Sequence, residues 1–152
     1  MKTLIIIPAY NEEESLGSTV SKLTTVVPDD DYLVVNDGSS DGTVQICHDN
    51  GYPFLDLPCN LGLAGAFQAG IKYAYRHGYD CAIQFDADGQ HLPQYIHDLE
   101  QALLTGDIAI GSRFVNSWGS ILRLSSSYVF LSAPRCHIFW YLDGCFFSLG
   151  DR

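Results

Sequence analysis

Asp86 and Asp88 form a D-x-D pair directly after the apolar run Ala82–Phe85. On an extended segment alternate residues point the same way, so the two carboxylates share a side. No Lys or Arg stands near them in sequence to relieve their repulsion. A cation between them would do so. Hard oxygen ligands suit magnesium or manganese, which keep coordination positions open for phosphate oxygens. Such an ion offsets the charge that develops on a diphosphate leaving group. Two turn aspartates ahead of a helix give the same pattern without any metal, so the pair alone leaves both readings open. His91, in the same loop, is a candidate ligand or acid. Asp37 is a second acidic position of interest. It follows Asn36 at the end of an apolar run and opens the turn-rich stretch Gly38-Ser39-Ser40-Asp41-Gly42. Its carboxylate can accept a hydrogen from a nucleotide base or ribose, as acidic residues after a second strand do in dinucleotide sites. Glu12, Glu13 and Glu14 suit the start of a helix dipole, and one of them, with Asn11, can also line a cleft.

Other chemistry is sparse. No nucleophile elbow, phosphate-binding P-loop or H-E-x-x-H pattern occurs. Asn60-Leu61-Gly62-Leu63-Ala64-Gly65 lacks the G-x-G-x-x-G spacing of a dinucleotide loop. Its small residues, with Ala66, Ala69 and Gly70, suit close packing of a helix on a sheet instead. Cys47, Cys59 and Cys81 read as buried apolar fillers, and His48, His77 and His97 as exposed helix residues.

These residues must be positioned by regular elements, and the first 113 residues alternate between two kinds. Leu4–Ile7 is a short apolar run bounded by Pro8, the pattern of a strand buried on both faces. Asn11 is placed to cap a helix carrying Leu16, Val20, Leu23 and Val27. Tyr32–Val35 is a second strand, Asp41 caps a helix through Cys47, and Gly51 ends it. Phe54, Leu55 and Leu57 form a short third strand, followed by a helix from about Gly62 to His77. Ala82–Phe85 is a fourth strand. Pro93 opens a helix to about Leu104, and Ile108–Ile110 is a fifth strand. Alternating strands and helices with short connections imply an α/β fold around a parallel sheet. Ligands of such sheets bind beyond the carboxyl ends of the strands, where the polar segments after strands one, two and four all fall.

The last 39 residues differ. They hold nine of the nineteen aromatics but only five charged residues, with no Lys or Glu. Trp118, Ile121, Leu122, Ser125, Tyr128 and Val129 fit one helix face, and Asp143-Gly144 is a hairpin signal. Across the 152 residues the composition is 47% hydrophobic and 17% charged, which excludes disorder and low complexity. The net charge of −10, with no Lys/Arg cluster, argues against a nucleic-acid partner. Five cysteines without a C-x-x-C pair indicate neither a disulfide framework nor a zinc site. With an N-terminal apolar run too short for a signal segment, the expected location is the cytoplasm.

Five segments in order, IIIPAYNEEESL, VVNDGSSDGT, NLGLAGAFQAGIKYA, YDCAIQFDADGQHLP and IAIGSRF, resemble the inverting family 2 glycosyltransferases. The likeness is strongest to the polyprenol-phosphate sugar transferase branch, which includes dolichol-phosphate mannosyltransferases. It implies a Rossmann-like GT-A fold with a mostly parallel central sheet flanked by helices. It also implies a nucleoside-diphosphate sugar, UDP- or GDP-linked, as donor and magnesium or manganese as cofactor. The acceptor would be a polyprenol phosphate at the cytoplasmic membrane face, or a glycan, in cell envelope glycan synthesis. Carried onto this chain, Pro8, Tyr10, Asn11 and Glu12 would hold the nucleotide and Asp37 would contact the base. Asp86 and Asp88 would bind metal and diphosphate, and Arg113 would face the acceptor phosphate. The resemblance runs from about Thr3 to Phe114. It divides the chain into a nucleotide-sugar-binding domain, 1–114, and an atypical tail, 115–152, in which the acceptor side is incomplete.

Two rivals stand beside this reading. One is a catalytically dead nucleotide-sugar-binding module or partner subunit, which would bind without turnover. The other is a phosphatase of the haloacid dehalogenase type. That family places its acidic pair on the first strand and needs a later lysine, and no lysine follows Asp86.

Overall fold

The computed structural model describes residues 1–89, 91–104, 109–111 and 128–132. In chain order the elements are β1 (Thr3–Ala9), α1 (Leu16–Val26), β2 (Asp31–Asn36), α2 (Thr43–Asn50), β3 (Phe54–Asp56) and α3 (Gly62–Arg76). They continue with β4 (Cys81–Gln84), a 3-10 turn (Pro93–Tyr95), α4 (Ile96–Leu103), β5 (Ile110–Gly111) and β6 (Tyr128–Ser132). The strands form one sheet in the order β3-β2-β1-β4-β6-β5. β1, β2, β3 and β4 are mutually parallel, whereas β6 runs antiparallel to both β4 and β5. A mostly parallel sheet flanked by helices is the expected architecture.

The isoleucine run of β1 is buried because both faces of the sheet are covered. Ile5 and Ile7 pack with Val34 and Ile83 against Leu16, Val20 and Leu23 of α1 and Ile96 and Leu99 of α4. Leu4 and Ile6, pointing the other way, pack with Leu33, Val35 and Ala82 against Ala66, Phe67 and Ala74 of α3. Each of Ile5, Ile6 and Ile7 is fully buried, which stabilises the fold by roughly 1.5–3 kcal/mol per side chain. Gly70 sets how close α3 lies to the sheet: a Cβ there would stand 2.5 Å from Ile6 Cγ2. Gly70, with Ala66 and Ala69, serves helix–sheet packing as expected, whereas Ala64 is exposed and Gly65 faces Leu61 of its own helix start.

Four local expectations are corrected. Pro8 lies within β1 rather than ending it, paired with Val35. The β1–β4 ladder stops at Ile6 and Gln84. Ile6 O accepts from Phe85 N, on the β4 side, and Ala9 O accepts from Asp37 N, on the β2 side. By alternation the missing N–H of Pro8 faces the gap that β4 leaves. Asn11 does not cap α1, which begins at Leu16 with no acidic residue in its first turn. Asn11 instead takes a φ of 55°, and Glu12, Glu13 and Glu14 precede the helix. Tyr128 and Val129 belong to strand β6, not to a helix: they pair with Gly111 and Ile110 of β5, while the rest of β6 pairs with β4. Cys59 is exposed, unlike Cys47 and Cys81. α2 follows the expected plan, with Gly51 closing it in the left-handed conformation.

Candidate functional site

Four loops leave the carboxyl edge of the parallel strands, and backbone chemistry binds them to one another. The loop after β1 is stitched to the loop after β2. Asn11 N–H donates to Ser39 Oγ at 3.0 Å, and Asn11 Oδ1 accepts from Ser40 N–H at 2.9 Å. Glu12 N–H donates to Thr43 Oγ1 at 2.9 Å and Glu13 N–H to Asp41 Oδ2 at 3.1 Å. Gly42 N–H returns the contact to Glu13 Oε2 at 2.6 Å. The glutamates thus hold two loops together, and Ser15 Oγ donates to the Glu12 carboxylate. Asp41 accepts from the N–H of Thr43, the first residue of α2, at 3.0 Å, from one position ahead of the N-cap, which is Gly42 rather than Asp41 as expected.

The second loop is fastened in turn to the third. Asp37 is 2% exposed. Its Oδ1 accepts from Leu61 N–H at 2.7 Å and its own N–H donates to Ala9 O at 2.9 Å. Gly38 passes so close to the third loop that a Cβ would lie 2.7 Å from Asn60 N. Asn36, the polar residue that ends a buried strand, is satisfied by donating Nδ2 to Asp56 Oδ1 at 2.7 Å and by Ser39 N–H at 3.3 Å.

The fourth loop carries the D-x-D pair. Gln84 Nε2 donates to Asp86 Oδ1 at 2.9 Å, and Asp86 N–H donates to His91 Nδ1 at 2.9 Å. His91 Nε2 lies 3.4 Å from Asp86 Oδ2. From α1, buried Thr19 donates its hydroxyl to the Ala87 carbonyl at 2.9 Å, between the two aspartates.

These loops enclose a cleft of about 330 Å³ lined by Pro8, Tyr10, Glu12, Asp37, Asp86 and Asp88, together with Asn60, Gly62, Leu63 and Ala66. Six of the residues singled out in the sequence therefore meet in one place. Asn11 does not line the cleft; it braces the loops behind it. Arg113 lies outside the described residues, as do 115–127 and 133–152 of the tail. The wall formed by Asn60 and the first turn of α3 was not anticipated. The signal for it was topological: α3 connects β3 to β4 across the point where strand order reverses, so its N-terminus must reach this edge.

Four carboxylates line the cleft, and none of its described lining residues is Lys or Arg. An anionic ligand would enter only with compensating positive charge. Asp86 and Asp88 supply hard oxygen donors from one loop, and among the described residues no group of three or more His, Cys, Asp or Glu converges as a protein-only metal cage. That donor set fits magnesium or manganese, which take one or two carboxylates and fill the remaining positions with water and phosphate oxygens. Among the described residues no helix is long and apolar enough to cross a membrane.

Comparisons with known proteins bear on the family and the fold. The family model described as Glycosyl transferase family 2 matches residues 4–142. An undecaprenyl-phosphate mannosyltransferase of Micrococcus luteus is 42% identical over 120 residues, covering 76% of this chain and 49% of that protein. The chain spans about half the length of the first curated relatives it matches. Among solved structures, glucosyl-3-phosphoglycerate synthase from Mycobacterium tuberculosis, in complex with UDP, superposes with a TM-score of 0.57 at 23% identity, over 70% of this chain and 41% of that one. A mannosyltransferase from Pyrobaculum calidifontis, in complex with GDP-Man and Mn2+, does so with a TM-score of 0.58 at 17% identity, over 72% and 34%. The shared fold is GT-A.

Proposed function

From the premise that the chain belongs to glycosyl transferase family 2, we propose that it binds a nucleoside-diphosphate sugar in this cleft and serves inverting sugar transfer to a polyprenol phosphate. The observation that carries the reading is the convergence of Asp37, Asp86 and Asp88 on one cleft at the carboxyl edge between β1 and β4. The name of the Micrococcus luteus relative and the ligands of the Pyrobaculum calidifontis neighbour support the choice of acceptor and donor.

In this reading the nucleoside lies against Pro8, Tyr10 and Leu63, with Asp37 accepting a base hydrogen. Asp37 is suited to the task because the Leu61 N–H fixes its carboxylate. Asp86 and Asp88 would hold a magnesium or manganese ion, which neutralises charge on the departing diphosphate. Glu12, tethered by Ser15, borders the same space. An acceptor phosphate is already anionic, so attack at the anomeric carbon needs no side chain to remove a proton first. Arg113 is the proposed partner of that phosphate, and 1–114 the nucleotide-sugar-binding unit. Use of a polyprenol acceptor would bring the protein to the membrane surface.

Calorimetric titration of GDP and UDP, with manganese and with EDTA, tests the donor half. Manganese-dependent binding of one of the two is expected, and Asp88→Ala should lower that affinity at least about 10-fold, as loss of a charged ligand group does. Equal binding by Asp88→Ala would overturn the metal assignment. Transfer of labelled sugar to a polyprenyl phosphate then separates a transferase from a module that binds without turnover.

A further inference from the structure

Asp86 is braced on more than one side, and part of the brace comes from a residue that does not line the cleft. His91 is 4% exposed, and its ring stands edge-on to Phe85 with centroids 5.7 Å apart and planes at 70°. Its two nitrogens meet the same residue: Nδ1 accepts the Asp86 N–H at 2.9 Å, and Nε2 lies 3.4 Å from Asp86 Oδ2. Because Nδ1 is an acceptor, the ring hydrogen belongs on Nε2, facing the carboxylate. Gln84 Nε2 holds the other carboxylate oxygen at 2.9 Å. Main chain and Oδ1 of Asp86 are therefore each hydrogen-bonded to a side chain, and Oδ2 faces the His91 ring at 3.4 Å, so the carboxylate is held from more than one side.

We propose that His91 is a positioning residue. It closes the loop from Asp86 to itself and orients the Asp86 carboxylate so that Asp86 and Asp88 present oxygens to one divalent cation and its diphosphate. His91 is not itself a ligand, since Nδ1 is taken by the main chain and the ring lies outside the cleft lining. The inference rests on the nucleotide-sugar reading of the cleft. Its physical basis is the general dependence of metal affinity on the groups that orient the ligands, whose removal costs about 10- to 100-fold.

The test compares wild type, His91→Ala and His91→Asn by titration of GDP and UDP with manganese and with EDTA. The Asn amide oxygen can stand where Nδ1 does and keep the Asp86 N–H acceptor. His91→Ala should lose about 10- to 100-fold in manganese-dependent affinity while metal-free binding stays unchanged, and His91→Asn should recover at least about threefold of that loss. Equal loss with and without manganese would show a merely structural role and overturn the inference, as would unchanged binding. Absence of manganese-dependent binding in wild type would overturn the nucleotide-sugar reading itself, a result distinguishable from failure of the variants alone. Should His91→Ala not fold, nitrogen NMR of the wild-type ring decides. A hydrogen on Nε2 with bare Nδ1 supports the inference; a hydrogen on Nδ1 refutes it.

Discussion

Replacing Gly38 by alanine should unseat the cleft, and a second glycine provides the control. Gly38 and Gly51 have nearly the same φ, 68° and 67°. Alanine in the left-handed region costs about 1–2 kcal/mol at either position. At Gly51 nothing lies within 4 Å of the added Cβ, so that cost is the whole effect. At Gly38 the Cβ would meet Asn60 N and Cys59 C at 2.7 Å and Cys59 Cα at 3.1 Å, all main-chain atoms with no rotamer to escape into. Ordinary contact begins near 3.4 Å, so the second and third loops must part. The Asp37 Oδ1–Leu61 N hydrogen bond, 2.7 Å long, would then stretch toward the limit of about 3.2 Å. A hydrogen bond to a charged group contributes about 1.5–3 kcal/mol. Gly38→Ala should therefore destabilise by about 3–5 kcal/mol, against about 1–2 for Gly51→Ala. With a urea m-value of about 2 kcal/mol per molar, the two unfolding midpoints should differ by about 1 M or more. Nucleotide affinity should fall in Gly38→Ala and stay unchanged in Gly51→Ala. Equal midpoint shifts, or wild-type nucleotide binding by Gly38→Ala, would refute the reasoning that this close approach builds the site.

Two further perturbations probe the frame around the cleft. Thr19→Val keeps the shape of a fully packed helix residue but removes the hydroxyl that the Ala87 carbonyl accepts from; leaving that buried acceptor unmet should cost about 1–3 kcal/mol by urea unfolding and weaken manganese-dependent nucleotide binding. Asp30→Asn should act through charge, at the opposite edge of the sheet. Burial pushes the Asp30 carboxyl above its ordinary value of 3.8, and the carboxylates of Glu100, Asp29 and Asp31 add to the rise, with His97 opposing. The fold thus holds this proton to higher pH than the unfolded chain does, so its contribution is full below the unfolded value and lost as pH rises through the folded one. At pH 7 the asparagine variant should show a higher urea midpoint than wild type, and near pH 3.5 the two should coincide; a constant difference across that range would contradict the assignment.

Much of this was legible from residue type alone. The buried strands announce themselves as uninterrupted apolar runs, and the acidic positions Asp37, Asp86 and Asp88 follow those runs at the edge where such sheets bind ligands. What the sequence could not show depends on partners far away in the chain. Asn11, ahead of three glutamates, looks like a helix cap. Its real partners, Ser39 and Ser40, lie on the next loop, and it adopts a positive φ that asparagine tolerates better than most residues. Tyr128–Ser132 is a short apolar run that fits either period, and only its pairing with β4 on one side and β5 on the other decides for a strand. His91 is a single histidine in a polar loop, and nothing local shows that both its nitrogens address the residue five positions earlier.

Pro8 joins these strands of reasoning. A proline inside a central strand is ordinarily excluded because it removes a ladder hydrogen bond. Here β1 extends to Ala9 while β4 stops at Gln84, and the position at which a donor is dispensable is the position at which the sheet opens. The same divergence that tolerates the proline creates the cleft between β1 and β4, where the strand order reverses. Once β4 has left the ladder, Asp86 and Asp88 are carried into the opening and Glu12 and Asp37 border it. No described lining residue is a lysine or arginine, so a diphosphate entering that space would meet only like charge from these described side chains. In the proposed reading an ion bound with the ligand supplies the balance, which is why manganese dependence of nucleotide binding, rather than nucleotide binding alone, is the property on which the cleft's assignment turns.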